Sequence, residues 1–322
     1  MQPLQIVENI YDVGVQDWAV RDFHGYKTER GATYNSYLIM DEKITLIDTV
    51  KAPFTEELLR NISKVTPLES IECIVINHVE PDHSGAMPAL AKACPKAKFY
   101  ITMQGKNEAI QHYGDIFDFE VVKDGSTLNI GKRTLTFASM AMLHWPDSMA
   151  TYSAYDRILF SNDAFGQHYA TSKRFDYDVD YGELFYEARK YFANILWPYA
   201  KLIERAFMKL SALDFTMIAP SHGVIWKRYI PEILKAYLDW GKGVQDGSLV
   251  MGNLMNAAKA IGLGSCWINR AKEVFDTDEG KALLKKWGIE GDYIGIGNCI
   301  LGYPDEEPEM KPRKENYVYY VL

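Results

Sequence analysis

The sequence lacks three things: an apolar run near the ~20 residues of a membrane-spanning helix, a Cys-x-x-Cys pair, and a basic face. The first absence excludes a helical membrane protein. The second bears on redox chemistry. The four cysteines, Cys73, Cys94, Cys266 and Cys299, are scattered, so neither a disulfide framework nor an iron–sulfur or zinc-thiolate site is indicated, and each reads as a small buried hydrophobe. The third absence, with a formal net charge of −8 and a pI near 5.5, excludes nucleic acid and anionic membrane as main partners, because phosphate binding needs clustered cations. The N-terminus, Met1-Gln2-Pro3-Leu4, has no basic stretch followed by an apolar one, which makes the cytoplasm the expected location.

What is present is a foldable chain. Of its 322 residues 48% are hydrophobic and 13% aromatic, enough for a sizeable core and, at roughly 150 residues per domain, for about two domains. Histidine is sparse, and its placement is informative. Of seven histidines, two stand with two carboxylates inside the stretch Asn77-His78-Val79-Glu80-Pro81-Asp82-His83-Ser84-Gly85. That stretch follows Ile71 to Ile76, a β-branched run that predicts a buried strand. In an extended segment alternate residues point the same way, so His78, Glu80 and Asp82 can converge while His83 reaches round from the following turn. A polar turn with two chance histidines is the bland alternative, and the crowding weighs against it.

Along the chain, Tyr34 to Met40 and Ile44 to Thr49 read as a hairpin, preceded by an irregular aromatic loop at Arg21 to Tyr26. Helical spacing covers Phe54 to Lys64 and Gly105 to Tyr113, with strands at Lys98 to Thr102 and Phe119 to Val122. A strand-rich half follows: Thr134 to Met140, Met149 to Ala154, and Arg157 into Asp163. Tyr181 to Lys209 is the longest helical pattern, broken or kinked at Pro198. Phe215 to Pro220 is a last apolar strand ending at Ser221-His222-Gly223, and Ile230 to Trp240 a closing helix. Four times a buried strand runs out into a His or Asp: His78 and its neighbours, His144, Asp163 and His222. Four imidazoles and three carboxylates can hold a pair of metal ions, with one carboxylate bridging.

The order His-x-Glu-x-Asp-His, then His, Asp and His, is similar to the metallo-β-lactamase superfamily, whose zinc hydrolases have His where this chain has Glu80. Glu80, with Asp22 to Tyr26, Gly31 to Leu38 and Ala219-Pro220-Ser221-His222-Gly223, resembles the flavodiiron proteins over about residues 1 to 242. The resemblance implies an α/β fold, an αββα sandwich with a non-haem diiron site that reduces O₂ to water, NO to N₂O, or both. It implies that one iron takes His78, Glu80 and His144, the other Asp82, His83 and His222, and that Asp163 bridges. His83 is the least secure of these, since some family members have water in its place. Two ferrous ions and three carboxylates leave such a site nearly neutral. A zinc pair would also bind imidazole, and the carboxylate enrichment tilts the choice towards iron. The same resemblance points to His24 and Tyr191 as groups that donate a hydrogen bond or proton near the metals; for Tyr191, a core tyrosine is an equal alternative. His112 and His168 fall outside the ligand motifs and read as surface or helix-end residues.

After Trp240-Gly241-Lys242-Gly243 the chain departs from the flavodiiron pattern, which continues into a flavodoxin-like FMN domain. Gly262 to Ile268 and Gly295 to Pro304 resemble instead the C-terminal part of the FMN-dependent nitroreductases. The expected domains are therefore 1–243, metallo-β-lactamase-like, and 244–322, a partial α+β nitroreductase-like segment. Lys311 and Arg313 fall where that family places cations for the FMN phosphate, although a solvated basic turn is the favoured explanation, because half a flavin site leaves most of the cofactor unbound. Electrons for O₂ or NO would then come from a flavodoxin, a rubredoxin or another flavoprotein, and a homodimer is expected. The alternatives are a metallo-β-lactamase-fold hydrolase and a metal-binding but inactive fusion.

Overall fold

The structure, a computed structural model, describes residues 2–305 except 211, 269, 290 and 292–294. The chain divides into two compact units between Lys242 and Gly243. In the first unit a seven-stranded sheet runs in the order Leu4–Val7, Ile10–Asp12, Tyr37–Ile39, Ile44–Ile47, Ile71–Val75, Lys98–Ile101 and Phe119–Val121. Its first four strands are antiparallel neighbours, and from Ile44–Ile47 onward the pairing is parallel. A five-stranded sheet follows, Thr127–Asn129, Thr134–Ser139, Met149–Ser153, Ile158–Asn162 and Met217–Pro220, antiparallel except for its last pair.

Alternation along the strands builds four layers. Ile47, Cys73 and Val75 face Phe137, Ile158, Phe160 and Met217 in the core between the sheets. Their sequence neighbours Leu46 and Ile74 point the other way, onto Leu58 and Ile62 of the helix Thr55–Ser63 and Leu90 of the helix Met87–Ala93. Leu159 and Ile218 likewise leave the central core to meet Leu184, Ala188, Ile203 and Tyr237 on the outer helices. Period-two side chains buried on both faces give near-continuous apolar strands, which is why these runs read so plainly in the sequence.

Several elements differ from the sequence reading. The loop at Arg21 to Tyr26 is a tight hairpin, Phe23 pairing with Tyr26 around His24-Gly25. Both turn residues have positive φ, 52° and 79°, the backbone of a two-residue hairpin loop. Pro81–Ser84 is a helical turn with proline in its first turn rather than a continued extended segment. The tract Tyr181 to Lys209 breaks as expected, into Tyr181–Tyr191, a π-helical turn Phe192–Leu196, a 3₁₀ turn Trp197–Tyr199 and Ala200–Leu210. The longest helix is instead Ile230–Ala260, 31 residues, where the sequence suggests a closing helix that ends at Trp240. Gly241 and Gly243 cost a helix only about 1 kcal/mol each, too little to stop one.

In the second unit Gly264–Ile268 and Asn298–Gly302 form an antiparallel pair, with helices Ala271–Phe275 and Asp278–Lys286 between them. Cys73 and Cys94 are buried, but Cys266 is exposed and Cys299 half-buried, because a two-stranded ribbon leaves side chains without a covering layer. Lys311 and Arg313 lie outside the described residues. Among the described residues no helix is long and apolar enough to cross a membrane.

A buried ion cluster ties the two sheets. Arg133 clasps Asp156 through Nε and Nη2 at 2.8 and 2.9 Å and reaches Asp41 at 3.1 Å and the Glu8 carbonyl at 3.0 Å. Its side chain is 3% exposed. Removing one partner of such a cluster strands the others in low dielectric. Arg133→Ala is therefore expected to cost about 3–5 kcal/mol, read as a lowered midpoint of urea unfolding.

Candidate metal centre

The donor residues come from strand ends and turns that the sheets fix. Three parallel-paired strands, Ile71–Val75, Ile158–Asn162 and Met217–Pro220, deliver His78, Asp163 and His222 within three residues of their carboxyl ends. His144 sits in the turn between Thr134–Ser139 and Met149–Ser153, further past its strand than the sequence suggests. Glu80 caps the helical turn Pro81–Ser84, which supplies Asp82 and His83.

All seven side chains meet in one pocket, as two groups. His78, Glu80, His144 and Asp163 make one, and Asp82, His83 and His222 the other. In the first, Glu80 Oε2 lies 3.2 Å from His78 Nε2 and 3.1 Å from His144 Nε2. In the second, Asp82 Oδ2 lies 3.1 Å from His222 Nε2 and 3.5 Å from His83 Nε2. Asp163 belongs to both. Its Oδ2 is 3.6 and 3.4 Å from His78 and His144, and its Oδ1 3.0 and 3.5 Å from His83 and His222.

These contacts are short without being satisfied. Among the described residues, His144 Nε2, His222 Nε2, Asp163 Oδ2 and both oxygens of Asp82 are buried without hydrogen-bond geometry to any neighbour. Lone pairs that converge on common points and miss one another are what cations between them would explain. Imidazole and carboxylate together suit iron and zinc alike, so the residues fit a pair of such ions.

The electrostatics agree. Burial works to neutralise the carboxylates, but the histidines override it: His144, His24 and His78 hold Glu80 far below the usual range, His83 and His222 hold Asp82 low, and His83 and His144 hold Asp163 well below. Burial works against the imidazolium forms too, yet Asp147 and Glu80 raise His78 well above 6.5, the Asp82 and Asp163 charges raise His83 to about 9, and Asp163 and Glu80 raise His144 to about 9.

Further residues orient the donors. His78 Nδ1 donates to Asp147 Oδ1 at 2.9 Å and His222 Nδ1 to the Thr33 carbonyl at 2.6 Å, which turns each Nε2 into the pocket. Among the described residues His83 Nδ1 has no such partner. Tyr191, fully buried, donates its hydroxyl to Asp163 Oδ1 at 2.9 Å. His24, at its hairpin tip, places Nε2 3.3 Å from Glu80 Oε1 and 3.8 Å from Asp82 Oδ2, so it faces both groups.

His168 corrects the sequence reading. It is fully buried, with Nε2 3.3 Å from His24 Nδ1 and its ring 4.7 Å from that of His222. Burial first, then the neighbouring His222 and His24, keep it well below 6.5 and so neutral. Only the return of the loop after Asp163 across the pocket puts it there, and no periodicity marks that path. His112 is exposed at the end of the helix Met103–Tyr113. Asp147 and the Thr33 carbonyl also escaped the sequence reading; an Asp three residues after His144 in a Pro-Asp turn was the available signal for the first.

Because His83 and His144 hold protons that bound cations must displace, apparent metal affinity is expected to rise from pH 6 to 9, roughly tenfold per pH unit for each proton displaced. Chelator competition across that range measures it, and a flat profile would contradict the assignment.

A family model described as ODP family beta lactamase matches residues 32–223. A nitric oxide reductase of Moorella thermoacetica is 45% identical over 247 residues, 75% of this chain and 62% of that protein. An anaerobic nitric oxide reductase flavorubredoxin of Salmonella arizonae is 40% identical over 307 residues, 90% of this chain and 64% of that protein. Among solved structures, the flavodiiron protein from Giardia intestinalis superposes with a TM-score of 0.74 at 40% identity, over 76% of this chain and 60% of that one. Rubredoxin oxygen:oxidoreductase from Desulfovibrio gigas gives 0.72 at 41%, over 75% and 62%. The chain thus spans 60–64% of the length of these four relatives. With the family model covering well over half of it, the chain belongs to the ODP family of beta-lactamase proteins, the metallo-β-lactamase-like domain that it shares with the flavodiiron proteins.

Proposed function

We propose that this chain carries the diiron centre of an oxidoreductase that reduces O₂ to water, NO to N₂O, or both, with electrons from a rubredoxin, a flavodoxin or another flavoprotein. One observation carries the reading: Asp163 turns one oxygen to each of two histidine–carboxylate groups. In this proposal one iron would be held by His78, Glu80 and His144 and the other by Asp82, His83 and His222, with Asp163 between them. Two irons, when bound, supply the redox capacity and the binding positions for O₂ or NO.

The chain's own residues prepare the pocket for that chemistry. Tyr191 holds Asp163 by its hydroxyl hydrogen bond, so that the two carboxylate oxygens stay divided between the groups. His24 Nε2 is positioned to hold a proton beside Glu80 Oε1, where reduction of either substrate consumes protons. Burial of the donors excludes bulk water, which strengthens every charge interaction within. Glu80, where superfamily hydrolases have histidine, adds a negative charge that favours a pair of iron ions over a hydrolytic zinc pair.

A nitroreductase-like second unit and a homodimer belong to the same proposal, supported by the sequence motifs after Gly243. Iron analysis and turnover with a reduced rubredoxin or flavoprotein test it. Wild-type chain is expected to hold two irons and to consume O₂ or NO, Asp163→Ala and Glu80→Ala to lose metal at one or both positions and all turnover. Hydrolysis of thioesters or lactams without O₂ or NO consumption would overturn the reading.

A further inference from the structure

Two carboxylates of the pocket, not one, face in two directions. Asp163 lies between the two donor groups, and Glu80 repeats the pattern. Its Oε2 lies 3.2 and 3.1 Å from the Nε2 atoms of His78 and His144, while its Oε1 turns to His24 Nε2 at 3.3 Å. Asp82 Oδ2 is 3.8 Å from the same nitrogen. His24, Glu80 and Asp82 thus make a third group of donors within reach of a single ion. Four-coordinate zinc holds N and O donors at about 2.0–2.2 Å, which sets them roughly 3.3–3.6 Å apart, close to these spacings.

The lone pairs are free to be used. Among the described residues, His24 Nε2 and both oxygens of Asp82 are buried without hydrogen-bond geometry to a neighbour, so their short approaches are not donor–acceptor pairs. The His24 ring is also held as a ligand's is. Phe23 stacks on it, 3.9 Å between centroids and 21° between planes, and its Nδ1 faces His168 Nε2 at 3.3 Å. With its proton on Nδ1, in the bond to His168, the neutral imidazole presents a lone pair at Nε2. His24, which stands outside both donor groups, therefore has the outer partner that His83 lacks among the described residues.

We propose that His24, Glu80 Oε1 and Asp82 form a third cation position at the mouth of the pocket, which takes a borderline divalent ion such as Zn²⁺ or Co²⁺. The inference rests on the reading of the pocket as a two-ion centre. His24 and Glu80, 11% and 14% exposed, are with His144 among the least buried side chains around the pocket, so this ion lies between solvent and the pair. Three divalent ions against three carboxylates leave positive charge in excess. The third is therefore the last to bind and the weakest held, with water or hydroxide completing its shell.

Equilibrium dialysis of the metal-free full chain against Co²⁺, read together with the cobalt d–d absorption, tests it. Wild type is expected to take up three ions, the third at higher free cobalt than the first two. His24→Leu is expected to keep the first two, which also reports that it is folded, and to bind the third at least ~10–100-fold more weakly, the loss that removing even an outer partner of a ligand brings. His24→Gln, which keeps a polar side chain at the hairpin tip, is expected to behave in the same way. Only two ions in the wild type, a third that persists in both variants as it would at a surface site, or loss of one of the first two in His24→Gln would overturn the inference. Uptake of fewer than two ions by the wild type would instead overturn the two-ion reading, and this inference with it.

Discussion

Seven donor side chains facing inward and largely shielded from solvent set the terms for the rest of this molecule. The most accessible, Glu80 and His144, are 14% and 11% exposed. An unpaired ion in such a place costs several kcal/mol even after relaxation, so three carboxylates in contact demand positive charge in the same pocket. Without metal, protons on His78, His83 and His144 meet that demand; cations at the convergence points would meet it with better geometry. The same electrostatic need thus shapes the folded state and, in the proposed reading, would set its affinity for metal.

The scaffold holds these groups by over-determining the backbone around them. Asp48 and Asn162 both adopt positive φ, 55° each, without being glycine. Asp48 is fixed there by the Asn77 amide N–H and side chain at 2.7 and 2.9 Å, directly before His78. Asn162, directly before Asp163, donates to Ser221 Oγ at 3.1 Å. The His222 loop is pinned from the other sheet: Asn35 Nδ2 and Tyr37 Oη donate to the Pro220 carbonyl at 2.8 and 2.7 Å. Gly223, at φ 80°, has Gln167 where a Cβ would go. Strained residues next to donors, each held by several bonds, are what a rigid site requires.

Much of this was legible in the chain. The apolar runs that end near His78, Asp163 and His222 are strands because both faces are buried, and a run buried on both faces is hard to mistake. The hairpin around His24 was legible only as an irregular loop, since a two-residue turn leaves no periodic trace. The helical turn at Pro81–Ser84 was missed because four residues are too few for a pattern. The helix that continues through Gly241 and Gly243 shows propensity yielding to the whole element. Cys266 and Cys299 were misread because hydrophobicity says nothing about whether a covering layer exists.

By itself the sequence determined which residue types are available and that they recur at strand ends: His and carboxylate side chains spaced too regularly for chance, in a chain with few histidines to spare. It also determined the layered α/β character, because period-two apolar runs and helical spacing are local properties. Only the tertiary structure decided that Asp163 divides its oxygens between two groups, that His168 lies behind His24, and that Asp147 stands behind His78. Each of these depends on distances between segments far apart in the chain, set by how the two sheets and their outer helices pack, and no local pattern encodes such a distance.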